Sequence, residues 1–145
     1  MPTPPGGPWR LRCDGGSRGN PGPGAYGFVL LDDHGREVEA RGEYLGKVTN
    51  NVAEYRGLIA GLEAAAAHRV PSLEVSMDSE LVIRQMTGEY RVKNEGLKPL
   101  HAAAKAAATK IARLRFAAIR REENTRADQL VNETLDRILG SESPR

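Results

Sequence analysis

The order of hydrophobic patterns along the chain restricts its fold more than any other feature. Three strand patterns, at residues 9–14, 25–31 and 37–44, precede the first helical pattern and are joined by short turns, which predicts an antiparallel meander. The later patterns are a helix at 51–68, a strand at 73–77, helices at 79–86 and 97–113, a strand at 114–119 and a helix at 124–139. Strands that are reached through helices usually pair in parallel. The sequence therefore predicts an α/β fold: a five-stranded mixed β-sheet, three antiparallel strands then two parallel ones, flanked by helices on both faces.

Two of the strand patterns differ in how they would be covered. Residues 25–31 are apolar on both faces, as in a strand that is buried on both sides. Residues 37–44 alternate between apolar and mainly charged side chains, which predicts a half-exposed strand at the edge of the sheet. Cys13 falls within the first strand pattern, and we interpret it as a core residue rather than a reactive thiol.

Composition sets limits on the class of protein and its partners. The 145 residues are enough for one domain; we predict that it spans 9–139 between disordered tails at 1–8 and 140–145. A net charge of +2 permits a nucleic-acid partner without indicating one. A single cysteine excludes an intramolecular disulfide and favours a reducing, cytoplasmic location. No apolar run has the length of a membrane span, and we expect a monomer with no membrane partner.

Four acidic residues, Asp14, Glu54, Asp78 and Asp128, stand where the patterns place a strand end or a helix start. Three of them have simple structural explanations. Asp14 precedes two glycines, as turn residues often do. Glu54 completes a capping-box pattern with Asn51, and Asp78 is a candidate N-cap of the helix that follows it.

Asp128 is harder to explain structurally. It shares a helical stripe with Val131 and Leu135, so it leans toward the core, where an unpaired charge is costly. The predicted topology also brings all four acidic residues to one end of the sheet, and ligands of open α/β sheets bind beyond the strand ends. Carboxylates that are grouped in this way repel each other unless cations neutralise them. We therefore predict a site for Mg²⁺ or Mn²⁺, which prefer oxygen ligands.

Four segments carry a family resemblance: DGGSRGNPGPGA from residue 14, TNNVAEY from 49, MDSELV from 77 and REENTRAD from 121. In this order they resemble the motifs of type 1 ribonuclease H, especially its compact bacterial, archaeal and plant-like branch, over residues 9–139. The resemblance implies a ribonuclease H-like fold. It also implies that Asp14, Glu54, Asp78 and Asp128 bind two metal ions and hydrolyse the RNA strand of RNA–DNA hybrids, leaving a 5′-phosphate. One ion would activate the attacking water and the other would stabilise the leaving 3′-oxygen.

The resemblance also implies a set of substrate contacts. Asn20, Asn50 and Asn51 would contact the minor groove of the hybrid, although one of the latter two has a simpler explanation as a helix cap. Backbone groups of Gly15, Gly16 and Ser17 would lie near RNA 2′-hydroxyls, which distinguish RNA from DNA. Thr49 and Glu80 complete the predicted set. Candidate phosphate contacts, each with an alternative role as a solvated surface charge, are Arg18, Lys47, Arg91, Lys93 and Lys98.

Two departures from the family pattern affect the expected activity. Many relatives carry a histidine about ten residues before the last aspartate, where this chain has Ala118. Candidate auxiliary residues that would take its place are Arg121, Glu122 and Glu123. If none of them substitutes for the histidine, we expect slower turnover. The stretch from 88 to 98 is short and lacks the tryptophans of the basic protrusion that some members use to grip DNA. We therefore expect weaker affinity for the hybrid and more tolerance of other substrates.

Two alternative functions remain open from the sequence. The first is a nuclease of the same fold that cuts another nucleic acid, such as double-stranded RNA or branched DNA. The second is a non-catalytic hybrid-binding module, which the presence of all four carboxylates disfavours.

Overall fold

The computed structural model describes residues 7–140 of the chain. Its strands are β1 (Trp9–Ser17), β2 (Gly22–Leu31), β3 (Glu37–Val48), β4 (Ser72–Met77) and β5 (Arg113–Ala118). Its helices are α1 (Asn50–Ala67), α2 (Glu80–Met86), α3 (Lys98–Ala108) and α4 (Thr125–Leu139), with one 3₁₀ turn at Arg121–Glu123 before α4. The predicted order of strands and helices is therefore confirmed over the described residues.

The five strands form one mixed sheet in the order β3-β2-β1-β4-β5. The pairs β1–β2 and β2–β3 are antiparallel, whereas β1–β4 and β4–β5 are parallel. This topology confirms the predicted meander followed by two strands reached through helices. It places β1 and β4 side by side, so that residues near their C-terminal ends lie together.

Helices cover the two faces of the sheet, as predicted. The main core lies between the sheet and α1, where Leu11, Phe28, Tyr55 and Leu62 are fully buried. A smaller core on the opposite face joins Ala25 of β2 to α4. A Cβ atom at Gly27 would lie 2.7 Å from the Ala127 carbonyl oxygen, so the glycine lets α4 approach the sheet closely. This approach brings the first turn of α4 over β1 and β2.

The first hairpin differs from the prediction because β1 does not end at Asp14. Its ladder with β2 continues from the pair Asp14–Gly27 to the pair Ser17–Gly24, and β2 begins at Gly22 rather than at residue 25. The glycines of the loop motif are strand residues here. At position 15 only glycine fits, because a Cβ atom there would lie 2.3 Å from the backbone carbon of Ala53 in α1. The interpretation of Asp14 as a turn residue is therefore wrong.

The close contact at Gly15 predicts a large difference between two neighbouring glycines. We expect Gly15→Ala to lower the free energy of unfolding by about 1–3 kcal/mol, as overpacked cores do, because the backbone of α1 would have to move. Gly16→Ala is the matched control, since its Cβ would meet only the Asn50 Oδ1 atom at 3.8 Å. Urea denaturation of both variants measures the difference. Equal stability of the two would contradict the proposed contact.

Other predicted boundaries also differ from the structure. The helix predicted at 97–113 ends at Ala108, and β5 starts at Arg113. The alanine-rich sequence contains no helix stop signal. In the structure the segment between α3 and β5 turns, and the Ile111 side chain is buried in the core. β3 lies at the edge of the sheet, as predicted. However, register shifts in its pairing with β2 interrupt the expected alternation, and Val38 and Tyr44 remain 38% exposed.

The predicted tails fall mainly on residues 1–6 and 141–145, which lie outside the described residues. Within residues 7–140, no helix has both the length and the apolar character needed to cross a membrane.

Candidate active site

All four predicted carboxylates line a single open depression at one end of the sheet. Asp14 comes from β1, Glu54 from α1, Asp78 from the loop after β4, and Asp128 from α4. The other lining residues are Gly15, Gly16, Ser17, Arg18, Asn50, Arg121, Val131, Asn132 and Leu135. Four separate segments of the chain thus contribute one acidic side chain each.

Asp14 reaches the depression because side chains alternate along β1. Leu11 and Cys13 are buried in the core that β1 shares with α1, so Asp14 points to the opposite face, where its cross-strand partner Gly27 lies under α4. Its Oδ1 atom accepts a hydrogen bond from its neighbour's backbone N–H, at 2.9 Å. Burial, followed by the charge of Asp78, raises the pKa of Asp14 to about 8.

Glu54 lies in the second turn of α1, because the helix begins one residue earlier than predicted. Thr49 is the N-cap, and its side chain accepts a hydrogen bond from the backbone N–H of Val52. The capping-box interpretation of Glu54 with Asn51 is therefore wrong, and Glu54 is left without a structural role at the helix start. Burial is the main cause that raises the pKa of Glu54 to about 7; the nearby Ser79 hydroxyl opposes this shift.

Asp78 follows β4 and is held by two neighbours. Its Oδ1 atom accepts a hydrogen bond from Asn124 Nδ2 at 2.9 Å, and its Oδ2 atom lies 3.7 Å from Arg121 Nε. The N-cap of α2 is Ser79, whose hydroxyl accepts from the backbone N–H of Val82. Asp78 is therefore not the helix cap that the sequence allowed.

Asp128 lies in the first turn of α4, on the side that faces the sheet. Val131 and Leu135, which share its stripe, are buried, as the helical spacing predicted. The backbone N–H of Asp128 donates to the Asn124 carbonyl at 3.1 Å. Its carboxylate is near Asp14 and is one cause of the raised pKa of Asp14.

The donor set suits a hard divalent cation, although the side chains do not form a finished cage. Four carboxylates supply only oxygen ligands, which Mg²⁺ and Mn²⁺ prefer. The raised pKa values of Asp14 and Glu54 reflect burial and negative charge that a cation would offset. Among residues 7–140, no three acidic, histidine or cysteine side chains converge at metal-binding spacing. The residues fit the ions by the chemistry of their donor atoms.

Three of the predicted substrate-binding residues form a hydrogen-bonded group beside the carboxylates. Asn50 Oδ1 accepts from both the backbone N–H and the hydroxyl of Ser17, at 2.9 and 3.1 Å. The backbone N–H of Asn50 donates to Asn20 Oδ1 at 3.0 Å. Asn50 is therefore not the cap of α1. Thr49 and Asn51 line an adjacent concavity together with Asn20.

Other predicted site residues lie away from the depression. Glu80 is exposed and pairs with Arg84 at 2.9 Å, and Glu122 lies 3.7 Å from Arg120; neither lines the depression. Ala118 does not line it either, and none of the described lining residues is a histidine. Of the candidate auxiliary residues, Arg121 alone is among the lining residues that the structure describes.

The candidate phosphate contacts are also dispersed. Arg18 lines the depression and pairs with Asp136 on α4 at 2.7 Å. Lys98 pairs with Glu95 at 2.7 Å. The remaining three candidates are exposed: Lys47, Arg91 and Lys93.

Asn124 is a site residue that the sequence did not single out. It precedes α4 and has a fully buried side chain that contacts Asp78. The sequence pattern predicts only that Asn124 starts the last helix, because neither its burial nor its hydrogen-bond partners can be inferred from hydrophobic periodicity. Its presence in the segment that carries Asp128 was the sole indication.

Comparisons with known proteins agree with this geometry. Residues 12–134 match the family model described as reverse transcriptase-like. The bifunctional protein Rv2228c of Mycobacterium tuberculosis is 44% identical over 127 residues, which are 87% of this chain and 35% of that protein. Ribonuclease HI of Halobacterium salinarum is 42% identical over 123 residues, 85% of this chain and 62% of that protein. The chain thus spans less than two thirds of each of these relatives.

Solved structures give the same result. The N-terminal RNase H domain of Rv2228c, solved as a fusion with maltose-binding protein, has a TM-score of 0.88 and 42% identity, covering 93% of this chain and 98% of that one. RNase H1 of Halobacterium salinarum has a TM-score of 0.86 and 40% identity, covering 89% of this chain and 98% of that one. LC11-RNase H1 in complex with an RNA/DNA hybrid has a TM-score of 0.85 and 42% identity, covering 90% and 99%. With its mixed sheet and the order of its motifs, the chain belongs to the type 1 ribonuclease H family.

Proposed function

We propose that this chain is an endoribonuclease that hydrolyses the RNA strand of RNA–DNA hybrids with the help of two divalent metal ions, leaving a 5′-phosphate. The single observation that carries the proposal is the meeting of Asp14, Glu54, Asp78 and Asp128 in one open depression. A structural role does not account for three of them, because Thr49 and Ser79 cap the helices and Asp14 lies inside a strand.

The four carboxylates would hold Mg²⁺ or Mn²⁺. Such ions lower the pKa of an attacking water and offset the negative charge of the scissile phosphate. Burial is the main cause that raises the pKa of Asp14 to about 8 and that of Glu54 to about 7, and a bound cation would favour the deprotonated form of both. Within the described residues, the depression contains no serine–histidine or cysteine–histidine pair for covalent catalysis, and Cys13 is buried in the core.

The group of Asn20, Asn50 and Ser17 lies directly beside the carboxylates and is suited to the substrate. Asparagine side chains both donate and accept hydrogen bonds and so match sugars and base edges. The Gly15–Ser17 backbone runs along the depression, in keeping with contacts to RNA 2′-hydroxyls. LC11-RNase H1, which shares the fold and 42% of the sequence, is described in complex with an RNA/DNA hybrid. This relative supports the proposed substrate.

Arg121 is the proposed auxiliary residue in place of the missing histidine. Its Nε atom is 3.7 Å from Asp78, and it is 86% exposed, so it has freedom to reach a phosphate at the mouth of the depression. A guanidinium stays protonated at all working pH values. It would therefore stabilise negative charge but would not act as a proton shuttle.

A substrate panel tests the proposal. Labelled RNA–DNA hybrid, duplex RNA, duplex DNA and branched DNA are incubated with the protein in Mg²⁺ and, separately, in Mn²⁺. We expect hybrid to be cut fastest and only in its RNA strand, with no cleavage in EDTA. Faster cleavage of duplex RNA or branched DNA would favour a different substrate class, and hybrid binding without cleavage would favour a non-catalytic module.

Asn50 provides a prediction on substrate binding. We expect Asn50→Ala to raise the KM for hybrid about tenfold, because it removes the proposed groove contact, worth about 1 kcal/mol for a hydrogen bond. It also removes the acceptor that holds the backbone N–H and hydroxyl of Ser17 in place. Asn50→Asp is the matched variant: it still accepts both bonds but adds a negative charge that repels phosphates. Steady-state kinetics on a hybrid oligonucleotide measure both. An unchanged KM in both variants would remove Asn50 from the substrate-binding surface.

A further inference from the structure

Asn124 has the most deeply buried side-chain amide among the described residues, with 1% of its surface exposed. It lies at the junction between the 3₁₀ turn and α4, where φ is −113° and ψ is 33°. Neither the comparisons with known proteins nor the proposed role of the four carboxylates assigns a function to Asn124. Its hydrogen bonds, however, reach the carboxylate of Asp78 and the backbone at or beside two of the others, Asp128 and Asp14.

The side-chain amide joins the two central parallel strands just beyond the end of their ladder. The last residue pair between β1 and β4 is Arg12–Ser76. Beyond this pair, Asn124 Nδ2 donates to the Cys13 carbonyl on the β1 side at 2.8 Å and to Asp78 Oδ1 on the β4 side at 2.9 Å. An amide nitrogen has two N–H groups, so both of its donors are used.

The backbone of Asn124 provides the third connection. Its carbonyl accepts from the N–H of Asp128 at 3.1 Å, which is the first hydrogen bond of α4. The Cys13 carbonyl, in turn, belongs to the residue directly before Asp14. One residue therefore touches the peptide beside Asp14, the carboxylate of Asp78 and the peptide of Asp128.

Packing alone does not explain this arrangement. Asn124 Oδ1 is buried and has no hydrogen-bond partner among residues 7–140, and buried acceptors without a partner are rare because they cost stability. An apolar side chain of similar size would avoid this cost. It could not, however, supply the two N–H donors that bind the Cys13 carbonyl and Asp78.

We propose that Asn124 is a positioning residue that fixes the orientation of Asp78 and its distance from Asp14 and Asp128 before metal ions bind. The inference rests on the proposed function, since the positioned carboxylates are those assigned to metal binding. Partners that orient metal ligands by hydrogen bonds commonly affect metal affinity or activity by about 10- to 100-fold when removed.

The first test uses the wild-type chain and is independent of activity. Heteronuclear NMR resolves side-chain amide groups, and the Asn124 pair is assigned by its loss in Asn124→Asp. We expect these protons to exchange with solvent far more slowly than those of exposed Asn94 and to shift when Mg²⁺ is added. Exchange as fast as that of Asn94, or no response to Mg²⁺ concentrations that support cleavage, would overturn the proposal.

The second test separates positioning from stability. We expect Asn124→Ala and Asn124→Asp each to lower kcat by roughly 10- to 100-fold, to weaken Mn²⁺ binding in calorimetry about tenfold and to leave KM within about threefold. Thr134→Val is the control for effects of lost stability. Thr134 is a buried polar residue of α4, and it does not line the depression.

Two results of this second test would overturn the proposal: wild-type kcat and Mn²⁺ affinity in both Asn124 variants, or equal losses in Thr134→Val. If wild-type protein cuts no hybrid, the proposed function fails instead, and amide exchange together with Mn²⁺ binding still decides the role of Asn124.

Discussion

Asp78→Asn and Asp14→Asn should each abolish hybrid cleavage while leaving the fold intact. Both side chains line the depression, and asparagine keeps their size but removes the negative charge that a cation requires. Loss of about 4 kcal/mol of transition-state stabilisation corresponds to roughly a thousandfold lower rate, and we expect at least this loss. Folding should survive, because both replacements relieve repulsion among buried acidic groups.

The measurement is the single-turnover rate of hybrid cleavage at saturating enzyme, with circular dichroism to verify the fold. Glu63→Gln is the matched control, since Glu63 is an exposed carboxylate of α1 outside the depression, and it should keep the wild-type rate. If Asp78→Asn or Asp14→Asn retained a tenth of the wild-type rate, the assignment of the metal site would be wrong.

The second large effect is a loss of stability with rising pH in the absence of metal. The pKa of Asp14 rises from 3.8 to about 8 on folding, and that of Glu54 rises from 4.5 to about 7. At pH values between the unfolded and the folded pKa of each group, the folded state binds more protons than the unfolded state. The free energy of unfolding therefore falls as pH rises. Each proton of difference contributes about 1.4 kcal/mol per pH unit. The loss begins above about pH 4 and is complete near pH 8.

Mg²⁺ or Mn²⁺ should reverse this loss, because a cation binds the deprotonated carboxylates of the folded state and stabilises it by mass action. Urea denaturation between pH 5 and 8, in EDTA and in millimolar Mg²⁺, measures both effects. Asp14→Asn should flatten the pH dependence in EDTA. Asp32→Asn should not flatten it, because the pKa of Asp32 is lowered by hydrogen bonds from the Arg36 and His34 backbone and Asp32 therefore titrates below this pH range. A wild-type stability that neither falls with pH nor responds to metal would contradict the prediction.

Local sequence patterns predicted most of the fold but misplaced several boundaries. The alanine-rich stretch continued the helical pattern past Ala108, because helix propensity alone does not show where Ile111 must be buried. The glycines after Asp14 looked like a turn, because the contact that requires Gly15, with the Ala53 backbone, comes from a helix far along the chain. Both errors arose where a distant packing contact outweighed local preference.

The sequence by itself determined the order of strands and helices, the mixed sheet and the four acidic residues that the structure brings together. These follow from periodicity and from short ordered motifs, which are local properties of the chain. Only the tertiary structure decided that burial raises the pKa of Asp14 and that Asn124 contacts the Cys13 carbonyl across a separation of 111 residues. Burial and hydrogen-bond partners depend on which distant segments meet, and no local pattern encodes that.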